Sequence, residues 1–169
     1  HPRWVEAVGA QLSTLTHVSN LYESKVQQEA GARLCEATGF DYAFFSNSGT
    51  EANEAGLKMA RRFQHAQAAE SGNAAKTRML ALEGGFHGRS MGALSLTAHE
   101  AYRAPFAPLV PGGAWIRAGD VDNLQRELET GEYAVFVAEI FQGEAGVVPV
   151  DARFLQRARE LCTAHDTLL

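Results

Sequence analysis

The most informative segment of the chain is Phe45-Ser46-Asn47-Ser48-Gly49-Thr50-Glu51-Ala52-Asn53-Glu54. The aromatic side chains around its start predict a strand over residues 41–46. Ser48, with Glu51 three residues later, forms the pattern of a capping box, so a helix is expected to begin here. The spacing of small and apolar residues predicts the buried face of that helix as Ala52, Ala55, Gly56, Met59, Ala60 and Phe63.

The start of this helix is suited to bind an anion. A helix N-terminus offers unpaired backbone N–H groups and the positive end of the helix dipole, both of which favour a phosphate. The small residues Ser48 and Gly49 let an anion approach the backbone, and Thr50 adds a hydroxyl group. Many capped helices bind nothing, so this segment alone leaves a purely structural role open.

A second glycine-rich segment, Glu83-Gly84-Gly85-Phe86-His87-Gly88-Arg89-Ser90, follows a predicted strand over residues 78–82. Its glycines permit unusual backbone dihedral angles and close approach of a ligand. Phe86 is suited to stack on a planar ligand, and Arg89 can bind a carboxylate or phosphate with two hydrogen bonds. The alternative is a surface loop in which Phe86 fills the core.

A third segment, Glu139-Ile140-Phe141-Gln142-Gly143-Glu144-Ala145-Gly146-Val147, follows a run that is apolar at every position, residues 134–138. Such a run is typical of a central strand covered on both faces. Ligands bind at the carboxyl ends of parallel strands, so Glu139 is expected at a binding crevice. Glu139 and Glu144 could act as general acids or bases or as partners of an arginine; the alternative is simple pairing with nearby cations.

The composition bounds the class of protein. Strands alternate with helices along the chain, which predicts an α/β fold with a parallel sheet. A net charge of −5, without a basic cluster, argues against nucleic acid as a partner. No apolar run approaches the length of a membrane span, no signal peptide is recognisable, and the six histidines have no metal-ligand spacing. We therefore expect a cytoplasmic protein that binds neither membrane nor metal.

Taken together, the three segments resemble the class III aminotransferases, which use pyridoxal 5′-phosphate (PLP) and have fold type I, the aspartate aminotransferase-like fold. The resemblance rests on residues 47–55, 86–89 and 139–147 and extends over nearly the whole chain. It implies a helical segment at 1–38 leading into a partial PLP-binding large domain at 39–169, with a mostly parallel sheet. It further implies a homodimer that moves the amino group of N-acetylornithine, succinylornithine or ornithine to 2-oxoglutarate, in arginine biosynthesis.

The resemblance also implies roles for five residues around the cofactor. Gly49 and Thr50 would bind the phosphate of PLP, with Ser48 helping. Phe86 would stack on the pyridine ring, and His87 would lie beside it.

Two further residues are implied in substrate binding. Arg89 would bind the α-carboxylate of the acylated ornithine. Glu144 resembles the switch glutamate, which pairs with a distant arginine and releases it when a dicarboxylate enters. One departure is visible, because Ile140 stands where the family usually has proline; Ile140 restores a backbone N–H donor and frees the φ angle.

The lysine that forms the Schiff base with PLP is expected to be absent from the chain, as is the aspartate that contacts the pyridine nitrogen. None of the three lysines is suitably placed: Lys58, for example, lies roughly 13 Å along the helix from the phosphate end. We therefore expect a segment of a larger aminotransferase that is inactive alone. The alternative is a non-catalytic scaffold or binding domain derived from the same fold.

Overall fold

The computed structural model describes residues 1–19 and 21–169, which form two compact units, His1–Phe45 and Ser46–Leu169. The first unit contains helices α1 (Pro2–Leu12) and α2 (Lys25–Thr38). Ser24 caps α2 by accepting a hydrogen bond from the Gln27 backbone N–H, and Gly39 ends the helix in the left-handed conformation. None of the described residues of this unit is buried.

The strand predicted over residues 41–46 is wrong. The structure has no strand there, and no backbone pairing joins this segment to another described strand. Aromatic residues favour strands mainly through packing against neighbouring strands, so the preference has no effect where such neighbours are missing. Tyr42 is accordingly 91% exposed.

The second unit is an α/β fold around a three-stranded parallel sheet of order β2-β1-β3. Residues 78–82, predicted as a strand, form β1, and the apolar run before Glu139 forms β3, one residue earlier than predicted. The elements, in chain order, are α3 (Gly49–Ser71), β1 (Arg78–Leu82), α4 (Met91–Ser95), α5 (Glu100–Arg103), a 3₁₀ turn (Ala104–Phe106), β2 (Gly113–Ile116), α6 (Val121–Glu129), β3 (Tyr133–Val137), the short antiparallel pair β4 (Phe141–Gln142) and β5 (Val148–Pro149), and α7 (Ala152–Ala164).

Apolar side chains cover both faces of the sheet. On one face, Leu80, Leu82 and Phe136 pack with residues of α6 and α7. On the other face, Met79 and Ala81 pack with residues of α3. Alternate residues of β1 thus enter opposite layers, as the two-residue period of a strand requires. The apolar run that forms β3 is buried on both faces in the same way, with Phe136 in one layer and Val135 in the other. It was predicted to be a central strand, but β1 is central and β3 is the edge strand of the three-stranded sheet. The predicted α/β class is confirmed.

The predicted buried face of α3 is largely wrong. The buried residues of the helix are Leu57, Ala60 and Gln64. Met59 and Phe63, which were expected inside, are 49% and 45% exposed. The helix carries apolar residues on two faces, and the sequence alone does not tell which of them meets the sheet.

The turn after α7 leads into a parallel pairing with β3. Leu168 donates its N–H to the Ala134 carbonyl and accepts from the Phe136 N–H, forming a single bridge beside β3. Lys76 and Gln64 hold this turn, because the ammonium of Lys76 donates to the His165 and Asp166 carbonyls and the Gln64 amide donates to the Asp166 carbonyl.

Within residues 1–19 and 21–169, no helix combines the length and the apolar character that crossing a membrane requires. The same residues contain no group of three or more histidine, cysteine or acidic side chains placed to hold a metal ion.

Candidate functional site

The first segment forms the start of α3 in the manner its sequence predicts. Ser48 is the N-cap residue, with an extended backbone, and its hydroxyl oxygen accepts from the Glu51 N–H at 3.3 Å. The Ser48 hydroxyl in turn donates to the Glu51 carboxylate at 3.0 Å, and Asn47 donates to the same side chain. These hydrogen bonds lower the pKa of Glu51, that from Asn47 contributing most. The capping box is therefore confirmed.

Two backbone N–H groups at this helix end, those of Gly49 and Thr50, have no acceptor within the described part of the chain. The N–H of the next residue, Glu51, is already taken by Ser48. Gly49 is exposed, and a Cβ atom added there would meet no atom within 4 Å. This helix end therefore offers two free donors, open space and a positive dipole to an anion.

The start of α3 is hydrogen-bonded to the glycine-rich loop that follows β1. The Asn53 amide donates to the His87 carbonyl at 2.5 Å. Thr50 and Ser90 are joined through their hydroxyl groups at 2.7 Å, and Glu54 accepts from the Ser90 hydroxyl at 2.6 Å. The first two sequence-predicted segments therefore lie side by side.

The glycine-rich loop is in turn hydrogen-bonded to the loop after β3. Glu139 accepts from the Phe86 N–H at 2.7 Å and from the Gly143 N–H at 3.4 Å. The Gln142 amide donates to the Glu83 carbonyl at 2.8 Å. The expectation that Glu139 pairs with an arginine or another cation is not met among the described residues, because backbone N–H groups occupy both carboxylate oxygens.

Phe86 and Glu144 line a single cavity of about 160 Å³ between these two loops. The half-buried Phe86 and the exposed Glu144 contribute to its wall, together with Thr97 and Tyr102. A planar group that enters the cavity would therefore meet an aromatic ring and a carboxylate. The structure thus brings Phe86 and Glu144 together, as their sequence motifs suggest.

His87 is the most buried of the sequence-predicted site residues, at 5% exposure. Its Nε2 atom has no hydrogen-bond partner among the described residues. Burial lowers the pKa of His87, and the nearby charge of Glu139 only partly opposes this effect. The imidazole is therefore neutral at pH 7, and its Nε2 is a buried polar atom without a partner among the described residues.

Arg89 lies at the exposed edge of the site. Its guanidinium stands over the rings of Tyr102 and Phe106, at 5.3 Å and 5.7 Å from their centroids. No carboxylate within residues 1–19 and 21–169 lies within salt-bridge distance of it. Two aromatic faces thus hold the side chain while its hydrogen-bond donors stay open to an anion.

Sequence reasoning missed the residues that hold the site together, namely Asn53, Glu54 and Gln142. Each bonds to a partner 34 to 59 residues away in the chain, so no local pattern reveals the contact. Gly88 and Gly92 are the one sequence feature that could have indicated these contacts, because both lie where another segment approaches too closely for a side chain.

Comparisons with known proteins agree with the resemblance of the three sequence segments. The family described as Aminotransferase class-III matches residues 1–169. An acetylornithine aminotransferase from Methanopyrus kandleri is 44% identical over 171 residues, covering 100% of this chain and 41% of the relative. The mitochondrial acetylornithine aminotransferase of Alnus glutinosa is 41% identical over 166 residues, covering 98% and 37%.

Among solved structures, an ornithine aminotransferase from Toxoplasma gondii, with partial occupancy of PLP at its active site, has a TM-score of 0.89 and 30% identity. The match covers 100% of this chain and 40% of that protein. The fold is therefore that of the PLP-dependent aminotransferases, as the sequence predicted. The chain spans about two fifths of the length of the relatives that it matches.

Proposed function

We propose a function that follows from family membership: the chain belongs to the class III aminotransferases, and it supplies the phosphate-, ring- and carboxylate-binding part of a PLP site. The complete enzyme would move an amino group from N-acetylornithine, or from succinylornithine or ornithine, to 2-oxoglutarate, as in arginine biosynthesis. The observation that carries this proposal is the hydrogen-bonded convergence of α3, the glycine-rich loop and the loop after β3.

The start of α3 fits the phosphate of PLP. Gly49 and Thr50 would bind it through their two free backbone N–H groups, and the helix dipole adds to the attraction. Ser48 would help mainly as the cap that fixes this geometry, because its hydroxyl hydrogen is donated to Glu51. The open space at Gly49 lets phosphate oxygens reach the backbone.

The residues beside the cavity fit the ring of the cofactor. Phe86 would stack on the pyridine ring. His87 would lie beside the ring without adding a charge, because burial keeps the imidazole neutral. When bound, PLP supplies the electron-withdrawing ring that stabilises negative charge on the reacting carbon of the substrate.

Arg89 and Glu144 would select substrates by their charge. Arg89 would bind the α-carboxylate of the amino donor with two parallel hydrogen bonds. Glu144 would act as the switch glutamate, occupying an arginine while an ω-amino group is bound and releasing it to the second carboxylate of 2-oxoglutarate. Its exposed position on the cavity wall leaves it free to move between the two arrangements.

The remaining expectations are part of the same proposal. The complete enzyme would be a cytoplasmic homodimer, without nucleic acid or membrane partners. Its catalytic lysine would lie outside these residues. In the 169-residue chain, borohydride reduction in the presence of PLP should therefore not attach the cofactor specifically to Lys25, Lys58 or Lys76.

The substitution Gly49→Pro tests the phosphate site, because proline at the first position of a helix removes one N–H group while preserving the helix. The extended backbone of Ser48 tolerates a following proline. We expect the Kd of PLP to rise about tenfold and that of pyridoxal, which lacks the phosphate, to stay unchanged.

The matched control is Lys25→Pro, which makes the same change at the first residue of α2, after a cap that is also extended. This variant should bind PLP like the unaltered chain. Equal affinities of the Gly49→Pro variant and the unaltered chain for PLP would contradict the phosphate site, as would equal losses for PLP and pyridoxal.

A further inference from the structure

Glu54, in the second turn of α3, receives three hydrogen bonds from the segment that follows Arg89. Its Oε1 atom accepts from the Ser90 hydroxyl at 2.6 Å, from the Gly92 N–H at 2.7 Å and from the Ala93 N–H at 3.2 Å. These bonds join residues 36 to 39 positions apart. Glu54 is thus a direct link between the phosphate-binding helix and the loop that carries Arg89.

The carboxylate of Glu54, instead of the Ser90 side chain, caps the N-terminus of α4. Ser90 is the N-cap residue of that helix, yet its side chain makes no capping hydrogen bond. The N–H groups that it would cap, those of Gly92 and Ala93, are bound by Glu54 instead. A carboxylate at the first turn of a helix is also favoured by the helix dipole.

The hydrogen bonds between Thr50, Ser90 and Glu54 have one consistent direction. Burial tends to raise the pKa of Glu54, but the Ser90 hydroxyl and the two N–H groups outweigh it and lower that pKa, so the carboxylate is ionised and only accepts. Ser90 must therefore donate its single hydroxyl hydrogen to Glu54. Thr50 then donates its own to Ser90 and accepts from the Ser90 N–H at 3.3 Å.

This direction bears on how Thr50 could bind a phosphate. Its hydroxyl hydrogen is already donated to Ser90. Of the two donors of Thr50, only its backbone N–H is left for an anion at the helix end.

The two segments approach each other too closely for a side chain at Gly88 or Gly92. A Cβ atom on Gly88 would overlap the Thr50 side chain, and one on Gly92 would overlap the Glu54 carboxylate. Gly88 also has a φ angle of +130°, which other residues rarely adopt. The loop can therefore take this position only with glycine at both sites.

The charge of Glu54 is satisfied without involving Arg89. Three donors bind the carboxylate, and Lys58, one turn further along α3, adds a favourable charge. Arg89 instead lies against Tyr102 and Phe106. An acidic residue thus anchors the neighbouring backbone while the guanidinium stays available to a substrate carboxylate.

We propose that Glu54 is a positioning residue that, through Ser90, fixes the Arg89 loop on the phosphate-binding helix, and that the Thr50 hydroxyl serves this connection instead of the phosphate. The inference rests on the proposed function for the meaning of Arg89. The connection itself is a property of this chain and can be tested without catalysis.

Hydrogen exchange of the 169-residue chain tests the connection directly. In Glu54→Ala, we expect the Gly92 and Ala93 amides to exchange at least about tenfold faster, because they lose their acceptor. Glu54→Gln keeps an acceptor oxygen and should show a smaller increase, which guards against a simple folding defect. The control Glu70→Ala removes an exposed carboxylate from the same helix and should change neither amide. Unchanged exchange in Glu54→Ala would overturn the proposal.

Steady-state kinetics of the complete aminotransferase test the effect on Arg89. Glu54→Ala should raise the KM of both the amino donor and 2-oxoglutarate about tenfold, with a smaller change in kcat, because a displaced Arg89 weakens carboxylate binding. Glu54→Gln should recover part of the loss. If the unaltered enzyme binds no PLP and transfers no amino group, the proposed function fails; if it is active and both KM values are unchanged in Glu54→Ala, only the present inference fails.

The role of Thr50 is tested by Thr50→Val, which removes the hydroxyl while keeping the branched shape. We expect faster exchange of the Ser90 amide and an unchanged ratio of the affinities for PLP and pyridoxal. A fall in that ratio would show that the hydroxyl contacts the phosphate and would overturn this part of the proposal.

Discussion

The units His1–Phe45 and Ser46–Leu169 begin their helices with the same signals but differ in what those helices bury. Ser24 caps α2 and Ser48 caps α3 through equivalent hydrogen bonds. No described residue of the first unit is buried, whereas the second unit encloses two apolar clusters on the two faces of its sheet. The two helices therefore begin with the same local cap, but only the second unit has the packed core that fixes loops in a defined geometry.

The candidate site reflects this difference. All of its proposed residues, from Ser48 to Glu144, lie in the second unit, on loops that leave buried strands or on a helix packed against the sheet. Polar contacts between loops keep a defined geometry only where packing holds the helices and strands that carry those loops. Three pairs of residues, one from each unit, test this contrast.

The largest expected difference concerns the two cysteines. Cys162 in α7 is fully buried, and burial raises its pKa to about 11, whereas Cys35 in α2 is partly exposed. At pH 8 only about one in a thousand Cys162 thiols would be ionised even before access is considered. Ellman's reagent should therefore modify Cys162 at least about a hundredfold more slowly than Cys35.

Single-thiol variants, Cys35→Ser and Cys162→Ser, separate the two rates. Because the raised pKa keeps Cys162 protonated at neutral pH, its rate should increase as the pH approaches 11. Comparable rates for the two thiols at pH 8 would show that the second unit is not packed as described.

The next difference concerns two aromatic residues. Phe136 in β3 is fully buried, and Phe136→Ala should lower the free energy of unfolding by about 4 kcal/mol through lost burial and the cavity left behind. Tyr42→Ala, at a residue that is 91% exposed, should change it by no more than about 0.5 kcal/mol. Urea unfolding followed by tryptophan fluorescence measures both. Similar losses for the two variants would contradict the contrast in burial.

The smallest difference concerns two lysines. Lys76→Met removes a charged donor from the His165 and Asp166 carbonyls and should cost about 2 kcal/mol of unfolding free energy. Lys25→Met breaks only an exposed ion pair with Glu29 at 3.9 Å and should cost less than about 0.5 kcal/mol. The same urea titration compares them, and an equal cost would mean that Lys76 does not stabilise the turn after α7.

The sequence was sufficient to predict the features that depend only on residues close together in the chain. The cap Ser48 and the bounds of β1 were predictable because a hydroxyl reaches only a few residues and a buried strand needs a continuous apolar run. The prediction of a strand over residues 41–46 failed because a strand needs neighbouring strands to pair with, and residue propensity does not reveal whether they exist.

The residues of the candidate site also fall into two groups, those recognisable from a local motif and those whose role depends on distant contacts. Phe86, Arg89 and Glu144 were recognisable because their residue types and motifs carry the chemistry, and their roles stay predictions. Glu54 was not recognisable, since its role arises from hydrogen bonds to residues 36 to 39 positions later. Gln64 was equally hidden, as a buried amide on a helix whose inner face was assigned to other residues.

Three separate segments of the chain are proposed to form one PLP site. Amide chemical shifts of the ¹⁵N-labelled 169-residue chain, recorded while PLP is added, test this proposal. We predict that the amides of Gly49, Thr50, His87 and Ala145 shift together with one affinity, and that amides of residues 1–19 stay unchanged. Shifts confined to the surroundings of Lys25, Lys58 and Lys76, with Gly49 and Thr50 unaffected, would contradict the claim.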